Sequence, residues 1–332
     1  EGAKRIVVVT DEPRKYDGVA GLAAGVTVKH RDELDAVQRE LREIPGCTVL
    51  IYDQTCATEK RRRRKRGTLA TPAETVVINE LVCEGCGDCS VQSNCLSVEP
   101  VETPFGRKRR INQSSCNKDY SCLKGFCPSF VTVSGATLKK PKKDSAHDPH
   151  ALPPLPEPVL PVAEAAWGIL VAGVGGTGVI TIGQLLGMAA HLEGKGVVTQ
   201  DAGGLAQKGG ATWSHIQIAN RPEAIYCTKV GTAEADLVIA CDPIVAARKD
   251  TLAVMREGRT HVALNTHGAP TAAFVGNPDW QFQGGRCEAV IEQACGGAAQ
   301  VGRFDADRLA TALPGDAIYT NPLMLGYAWQ RG

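Results

Sequence analysis

The sequence predicts an α/β protein in which two stretches of alternating strands and helices flank a small cysteine-rich module. Three observations predict it. Residues 1 to about 58 read strand, helix, strand. Seven cysteines between Cys83 and Cys127 are spaced as metal-cluster ligands are. Beyond a proline-rich stretch, the apolar strand Ile169–Ala172 runs into a glycine turn and then a long apolar helix.

The bulk numbers fit two or three domains in 332 residues, with 43% hydrophobic and only 5% aromatic residues, so the cores are mainly aliphatic. A net charge of +1 provides no overall field to recruit nucleic acid or acidic membranes. Thirteen cysteines, an odd count with seven at metal spacing, fit a reducing cytoplasm better than a disulfide-stapled secreted fold. The uncharged stretch Ala165–Ala190 has the length of a membrane span, but seven glycines interrupt it, so it reads as strand, turn and helix. The chain lacks an initiator Met and ends abruptly, and is expected to be an internal piece of a longer protein.

In the first segment, Ile6–Val9 and Thr48–Tyr52 are buried strands. Arg31–Glu43 carries Leu34, Val37, Gln38 and Leu41 at helical spacing. The basic run Lys60–Arg66 is expected to be a solvated connector. No aromatic residue interleaves it to stack bases, which argues against a nucleic-acid patch.

The module follows, with Val76–Asn79 and Val131–Val133 as its edge strands. Its pattern is Cys83-x2-Cys86-x2-Cys89-x5-Cys95, then Cys116-x5-Cys122-x4-Cys127-Pro128. A Cys-x2-Cys-x2-Cys loop completed by a remote Cys-Pro is how two-cluster ferredoxins wrap iron–sulfur cubanes. Cys83, Cys86, Cys89 and Cys127 are therefore candidate ligands of a first 4Fe-4S cluster. Cys116 and Cys122 repeat the separation of Cys83 and Cys89, and Asp119 stands midway. Cys95, Cys116, Asp119 and Cys122 become the candidate ligands of a second cluster. A carboxylate suits iron less well than a thiolate, so this site is expected to hold a 4Fe-4S cluster through Asp119 or a 3Fe-4S cluster. The competing reading is structural zinc, which favours paired Cys-x2-Cys units. A second basic patch, Arg107–Arg110, either attracts an acidic electron carrier or simply faces solvent.

A Lys- and Pro-rich linker leads to the last segment. There Gly173-Val-Gly175-Gly176-Thr-Gly178 joins a strand to a helix reaching Leu192, as in Rossmann-like dinucleotide sites. Asp201, at the end of the next strand, stands where an acid could hold a ribose hydroxyl, so an NAD-binding domain beside an electron-transfer module is the alternative function. The following loop, Gly203–Gly210, lets backbone approach a ligand closely. It offers Lys208, Gly209 and Gly210 to a negative group. Strands are expected at Ala211–Ala219, Leu237–Ala240 and His261–Asn265, with Asp242 and Asn265 at the ligand-binding rim. Asn321–Gly326 reads as a helix start. Cys227, Cys241, Cys287 and Cys295 lack metal spacing and are expected to be small core residues.

Three segments together resemble the fused indolepyruvate ferredoxin oxidoreductases of the 2-oxoacid:ferredoxin oxidoreductase superfamily. They are Leu50-Ile-Tyr-Asp-Gln-Thr-Cys-Ala-Thr-Glu-Lys-Arg-Arg-Arg-Arg-Lys-Arg-Gly67, the module from Cys83 through Ser129, and Gly173–Gly178 with Gln207–Gly210 and Asn321–Gly326. The resemblance covers nearly the whole chain. It implies the end of a thiamine-diphosphate domain at 1–70, a ferredoxin-like module at 71–138, a linker at 139–164 and a gamma domain from 165 to 332. It also implies oxidative decarboxylation of a 2-oxoacid to an acyl-coenzyme A, with thiamine diphosphate, Mg²⁺ and coenzyme A taking part. Electrons would leave singly through the clusters to ferredoxin or a similar acceptor. A cytoplasmic homo-oligomer without nucleic-acid or membrane partners is expected. The elements that hold the thiamine's Mg²⁺ are not found here, so this chain alone is expected to be inactive.

Overall fold

The computed structural model describes residues 2–137, 153–161, 165–202 and 210–332. The chain divides into two compact units, Glu1–Ala70 and Thr71–Gly332.

The first unit is a three-stranded parallel sheet of β1 (Ala3–Thr10), β2 (Thr27–His30) and β3 (Cys47–Asp53), in the order β2-β1-β3. Helix α1 (Leu34–Arg42) crosses between β2 and β3. Alternation along β1 puts Val7 and Val9 on one face. They pack there against Val37 and Leu41, four residues apart on α1. The basic run is not an irregular connector but part of helix α2 (Ala57–Lys65). Arg and Lys are good helix formers, and Glu59 in the first turn pairs with Arg62 and Arg63 one turn on, at 3.5 and 3.1 Å. Lys60 reaches Asp11 at 2.6 Å.

The second unit begins with the module: β4 (Glu74–Ile78), α3 (Asp88–Ser93), β5 (Val98–Thr103), β6 (Gly106–Ile111) and β7 (Phe130–Ser134). β4 pairs antiparallel with β7, while β5 and β6 form a hairpin. A small core of Ile78, Cys83 and Val98 gathers Cys89, Cys95, Ile111 and Phe130 around it. The basic patch Arg107–Arg110 lies in β6, where Arg110 is exposed but Arg109 is buried at 1% exposed and does not face solvent. The described part of the Pro-rich linker is irregular, and Pro156 O accepts a hydrogen bond from Gln330 Nε2 at 2.7 Å.

A six-stranded sheet then forms from β8 (Trp167–Val174), β9 (Gly196–Ala202), β10 (Ala211–Ala219), β11 (Ala235–Ala240), β12 (His261–Asn265) and β13 (Val301–Phe304), in the order β13-β12-β11-β8-β10-β9. Among the described residues, the α-helices that accompany it are α4 (Val179–Leu192), α5 (Pro243–Ala246), α6 (Lys249–Leu252), α7 (Ala272–Gly276), α8 (Gly284–Cys295), α9 (Ala306–Ala312) and α10 (Thr320–Arg331). The apolar run in β8 serves both faces. Leu170 joins Val238, Leu264 and Ile291 on one side, and Ile169 and Val171 join Ile182, Ile239 and Met324 on the other. The sheet departs from a simple Rossmann order. β10 lies antiparallel between β8 and β9, which a doubly wound dinucleotide fold would place side by side. No described helix is long and apolar enough to cross a membrane.

Candidate functional site

The two cysteine loops share one backbone design. In the first, Gly85 and Gly87 adopt left-handed φ of +75° and +85°. In the second, the residues at the same two offsets, Lys118 and Tyr120, adopt φ of +49° and +57°. The N–H of Gly85 donates to Cys83 Sγ at 3.4 Å, and the N–H of Lys118 donates to Cys116 Sγ at 3.4 Å. The loops thus turn at the same places around the same N–H···S bond, and Asp119 occupies the station that Cys86 occupies in the first. Left-handed backbone costs a non-glycine residue about 1–2 kcal/mol. Anchors hold it here: Lys118 Nζ donates to Thr75 Oγ1 at 3.1 Å, and Tyr120 OH donates to Glu74 O at 2.9 Å.

Cys95, Cys116, Asp119 and Cys122 line one small cavity together with Lys118 and Tyr120. Burial pushes the Cys122 thiol up to about 12, and its acidic neighbours Cys95, Cys116 and Asp119 add to the effect. Burial likewise raises Cys116, with Cys95 and Asp119 contributing. A thiol raised by burial is stabilised as thiolate by a neighbouring cationic centre, so these two cysteines suit a metal-bound role. Among the described residues, no three Cys, His, Asp or Glu side chains sit close enough together to hold a single metal ion.

In the first set, Cys83 is buried, Cys89 and Cys127 are partly buried and Cys86 is exposed. Asn79 links the two ends of the set. It accepts the Cys83 N–H at 2.9 Å and donates its own N–H to Ser129 O at 2.7 Å, two residues past Cys127. Gly125 lets the Cys127 segment approach α3, since a Cβ there would lie 2.9 Å from Asp88 Oδ2. Gly85 passes so close to Arg107 O that any side chain would collide with it. Burial raises the Cys89 thiol, and the charge of Arg109 opposes that. Arg109 belongs to this site, although its sequence setting reads as a surface patch. The available signal was strand periodicity, which puts Arg107 and Arg109 on one face of β6, behind the tight turn Thr103-Pro-Phe-Gly106.

The glycine turn lies at the carboxyl end of β8. Gly176 and Gly178 have φ of +85° and +107°, and Gly178 caps α4. Gly173 lets Val179 and Cys241 close in, where a Cβ would meet them at 2.8 and 3.0 Å. Gly175 N–H donates to Gly210 O at 2.7 Å, and Asn321 of α10 donates to Thr177 O at 3.2 Å. The turn, the end of the second glycine loop and the tail helix therefore meet. Lys208 and Gly209 lie outside the described residues.

Asp201 is exposed, and its Oδ1 accepts the Ser214 hydroxyl at 2.6 Å beside Gly183 of α4, where a side chain would strike Ser214. The rim residues are also engaged. Asp242 caps α5 by accepting Val245 N–H at 2.8 Å, and Asn265 donates to Cys241 O and Asp307 Oδ2, both at 3.0 Å. Of the four cysteines in the C-terminal segment, Cys241 and Cys295 are buried and Cys287 is partly buried. Cys227 is exposed, with its thiol donating to Lys229 O at 3.1 Å, and is not a core residue.

A glycine turn at the rim of a parallel-rich sheet and two cysteine loops of matching backbone geometry define this α/β protein. Residues 168–332 match the family described as pyruvate ferredoxin/flavodoxin oxidoreductase. The chain is 31% identical to the indolepyruvate oxidoreductase subunit IorB of Methanothermobacter thermautotrophicus over 162 residues, covering 49% of this chain and 77% of that one. It is 25% identical to the IorB subunit of Thermococcus kodakarensis over 160 residues, covering 48% and 75%. The solved gamma subunit of the keto/oxoacid ferredoxin oxidoreductase of Geobacter sulfurreducens aligns at 20% identity with a TM-score of 0.32, over 49% of this chain and 75% of that one. The chain belongs to the 2-oxoacid:ferredoxin oxidoreductase superfamily.

Proposed function

We propose that this chain is the electron-exit part of a 2-oxoacid:ferredoxin oxidoreductase whose substrate is indolepyruvate or a related arylpyruvate. The observation that carries the proposal is the repeated loop geometry, in which Asp119 takes the place of a ligand cysteine. In this reading Cys83, Cys86, Cys89 and Cys127 hold one 4Fe-4S cluster. Cys95, Cys116, Asp119 and Cys122 hold a second, of four or three irons. Such clusters pass one electron at a time, as ferredoxin accepts them. The protein's part is to bury the thiolates, to aim N–H groups at the sulfurs and to keep the two sets on one small core.

Residues 1–70 are then the end of a thiamine-diphosphate domain, 71–138 the cluster module, 139–164 the linker and 165–332 the gamma domain. Thiamine diphosphate with Mg²⁺ and coenzyme A would serve the complete enzyme, a cytoplasmic homo-oligomer in which the thiols stay reduced. The turn Gly173–Gly178 with Gly210 is the place on this chain suited to their phosphates, since it presents backbone N–H groups at the start of a long helix. The relatives' names, which specify an indolepyruvate oxidoreductase subunit, support the choice of substrate.

The test is iron, zinc and acid-labile sulfide per chain, on protein purified without oxygen. About eight irons with matching sulfide are expected, or about seven if the second site holds three. In the latter case Asp119→Cys should restore the eighth. About four irons, unchanged by Asp119→Cys, would make Asp119 a bystander. Zinc without sulfide would overturn the electron-transfer function.

A further inference from the structure

Arg109 is among the most deeply buried side chains in the protein, at 1% exposed. Its hydrogen bonds go to carbonyls rather than to a carboxylate: Nη1 donates to Lys108 O at 3.3 Å and Nη2 to Pro278 O at 3.0 Å. The guanidinium stands 4.5 Å from the ring centre of Phe274. Its Nε is buried and has no hydrogen-bond partner among the described residues. A buried cation without an anion is costly enough that such groups are normally paired. The anions this neighbourhood can offer are thiolates. A Cβ on Gly87, between Cys86 and Cys89, would lie 3.6 Å from Arg109 Nη2 and 3.2 Å from Pro278. Burial lowers the guanidinium's pKa, and Cys89, Cys83 and Cys86 pull it back up.

The loop from Cys83 to Cys89 therefore meets β6 at Gly85 and the Arg109–Pro278 junction at Gly87, while Cys86 is exposed. Arg107 closes the same junction by donating to Trp280 O at 2.6 Å. Arg107 pairs with Glu102 at 2.6 Å, so its charge is already answered. The charge of Arg109 is not.

We propose that Arg109 is the fixed counter-charge of the cluster held by Cys83, Cys86, Cys89 and Cys127, and that it raises that cluster's reduction potential. The inference rests on the cluster reading above. Reduction adds one negative charge to the cluster, and a permanent cation in a dry site stabilises the more negative state. Arg109 is a positioning residue in this role. It is held in place by Pro278 and Phe274, so the gamma domain's docking fixes where the charge sits.

The test uses the full chain purified without oxygen, with iron and sulfide measured in every sample and midpoints taken by EPR-monitored redox titration. Arg109→Gln removes the charge and keeps a donor. It should lower the reduction equilibrium constant of one cluster about tenfold, a midpoint fall of about 59 mV for a one-electron couple. Arg109→Lys should restore the wild-type midpoint. Arg107→Met combined with Glu102→Gln, which loosens the same junction and removes both charges of that ion pair together, should leave it unchanged. An Arg109→Gln chain with full iron and sulfide and an unchanged midpoint would overturn the proposal. So would an equal fall in the charge-balanced Arg107→Met/Glu102→Gln chain, which would trace the effect to docking rather than charge. If Arg109→Gln does not fold, the wild-type chain labelled with ¹⁵N-arginine serves instead. Spin-echo spectra of the reduced cluster should show coupling to a labelled guanidinium, and its absence would reject the role. A wild-type chain without iron or sulfide would defeat the cluster reading itself, a result distinct from all of these.

Discussion

At the scale of single residues, buried polar groups in this protein are tied to specific jobs. Asp242 caps α5 from a position 6% exposed, and burial raises its pKa, with Val245 and Ile244 N–H groups opposing the rise. A carboxyl whose folded pKa is raised stabilises the fold below its unfolded value, near 3.8, and that contribution is lost as pH rises through the folded pKa. Asparagine caps a helix about as well and carries no charge to bury. Asp242→Asn is therefore expected to stabilise the protein at pH 7 and to give no gain near pH 3. Urea midpoints at the two pH values check this, and a gain of equal size at both would rule out the charge as its source. The proposal for Asp119 starts from spacing. Its midway place between Cys116 and Cys122 was visible in the chain, whereas the left-handed turns at Lys118 and Tyr120 were not, because neither residue type announces that backbone.

At the scale of elements, helix–sheet contacts in the C-terminal domain depend on glycine. Gly183 of α4 lies over Ser214 of β10, and Gly187 over Thr199 of β9, where a Cβ would meet a methyl carbon at 2.9 Å. Gly183→Ala is expected to cost about 1–3 kcal/mol by overpacking. Ser214→Ala in the same chain should recover part of it. Denaturant melts of the two single variants and the double variant measure the coupling, and full additivity would contradict the contact. Most of these elements could be read from apolar runs: the middles of β8, β11 and β12 pack on both faces, and Ile169–Ala172, Leu237–Ala240 and Val262–Leu264 are apolar throughout. Pairing could not be read, because nothing within β10 says that it runs antiparallel between β8 and β9. The β5–β6 hairpin was hidden by its charge. Glu99, Glu102, Arg107 and Arg110 make it look like surface, yet they pair across the two strands, Arg107 with Glu102 and Arg110 with Glu99. In α2 charge masked propensity in the same way.

At the scale of the whole molecule, the cysteine-rich module and the C-terminal domain form one unit. Besides the arginine contacts at Pro278 and Trp280, Ser114 Oγ donates to Asp316 Oδ1 at 3.1 Å and accepts Ala317 N–H at 2.9 Å. Both cysteine loops thus lean on segments far along the chain. Residues 71–137 expressed alone are expected to release iron to a chelator faster than residues 71–332. Equal release rates would mean that the C-terminal domain does nothing to hold the module closed.

These same contacts set a timetable. Arg109 meets Pro278 across 169 residues of sequence, and Ser114 meets Asp316 across 202. At about 5–20 residues per second, a ribosome needs about ten to forty seconds to make the stretch between them. Throughout that interval the newborn cysteines have left the ribosome without the wall that will cover them, and their thiols are open to oxygen or to whatever delivers iron.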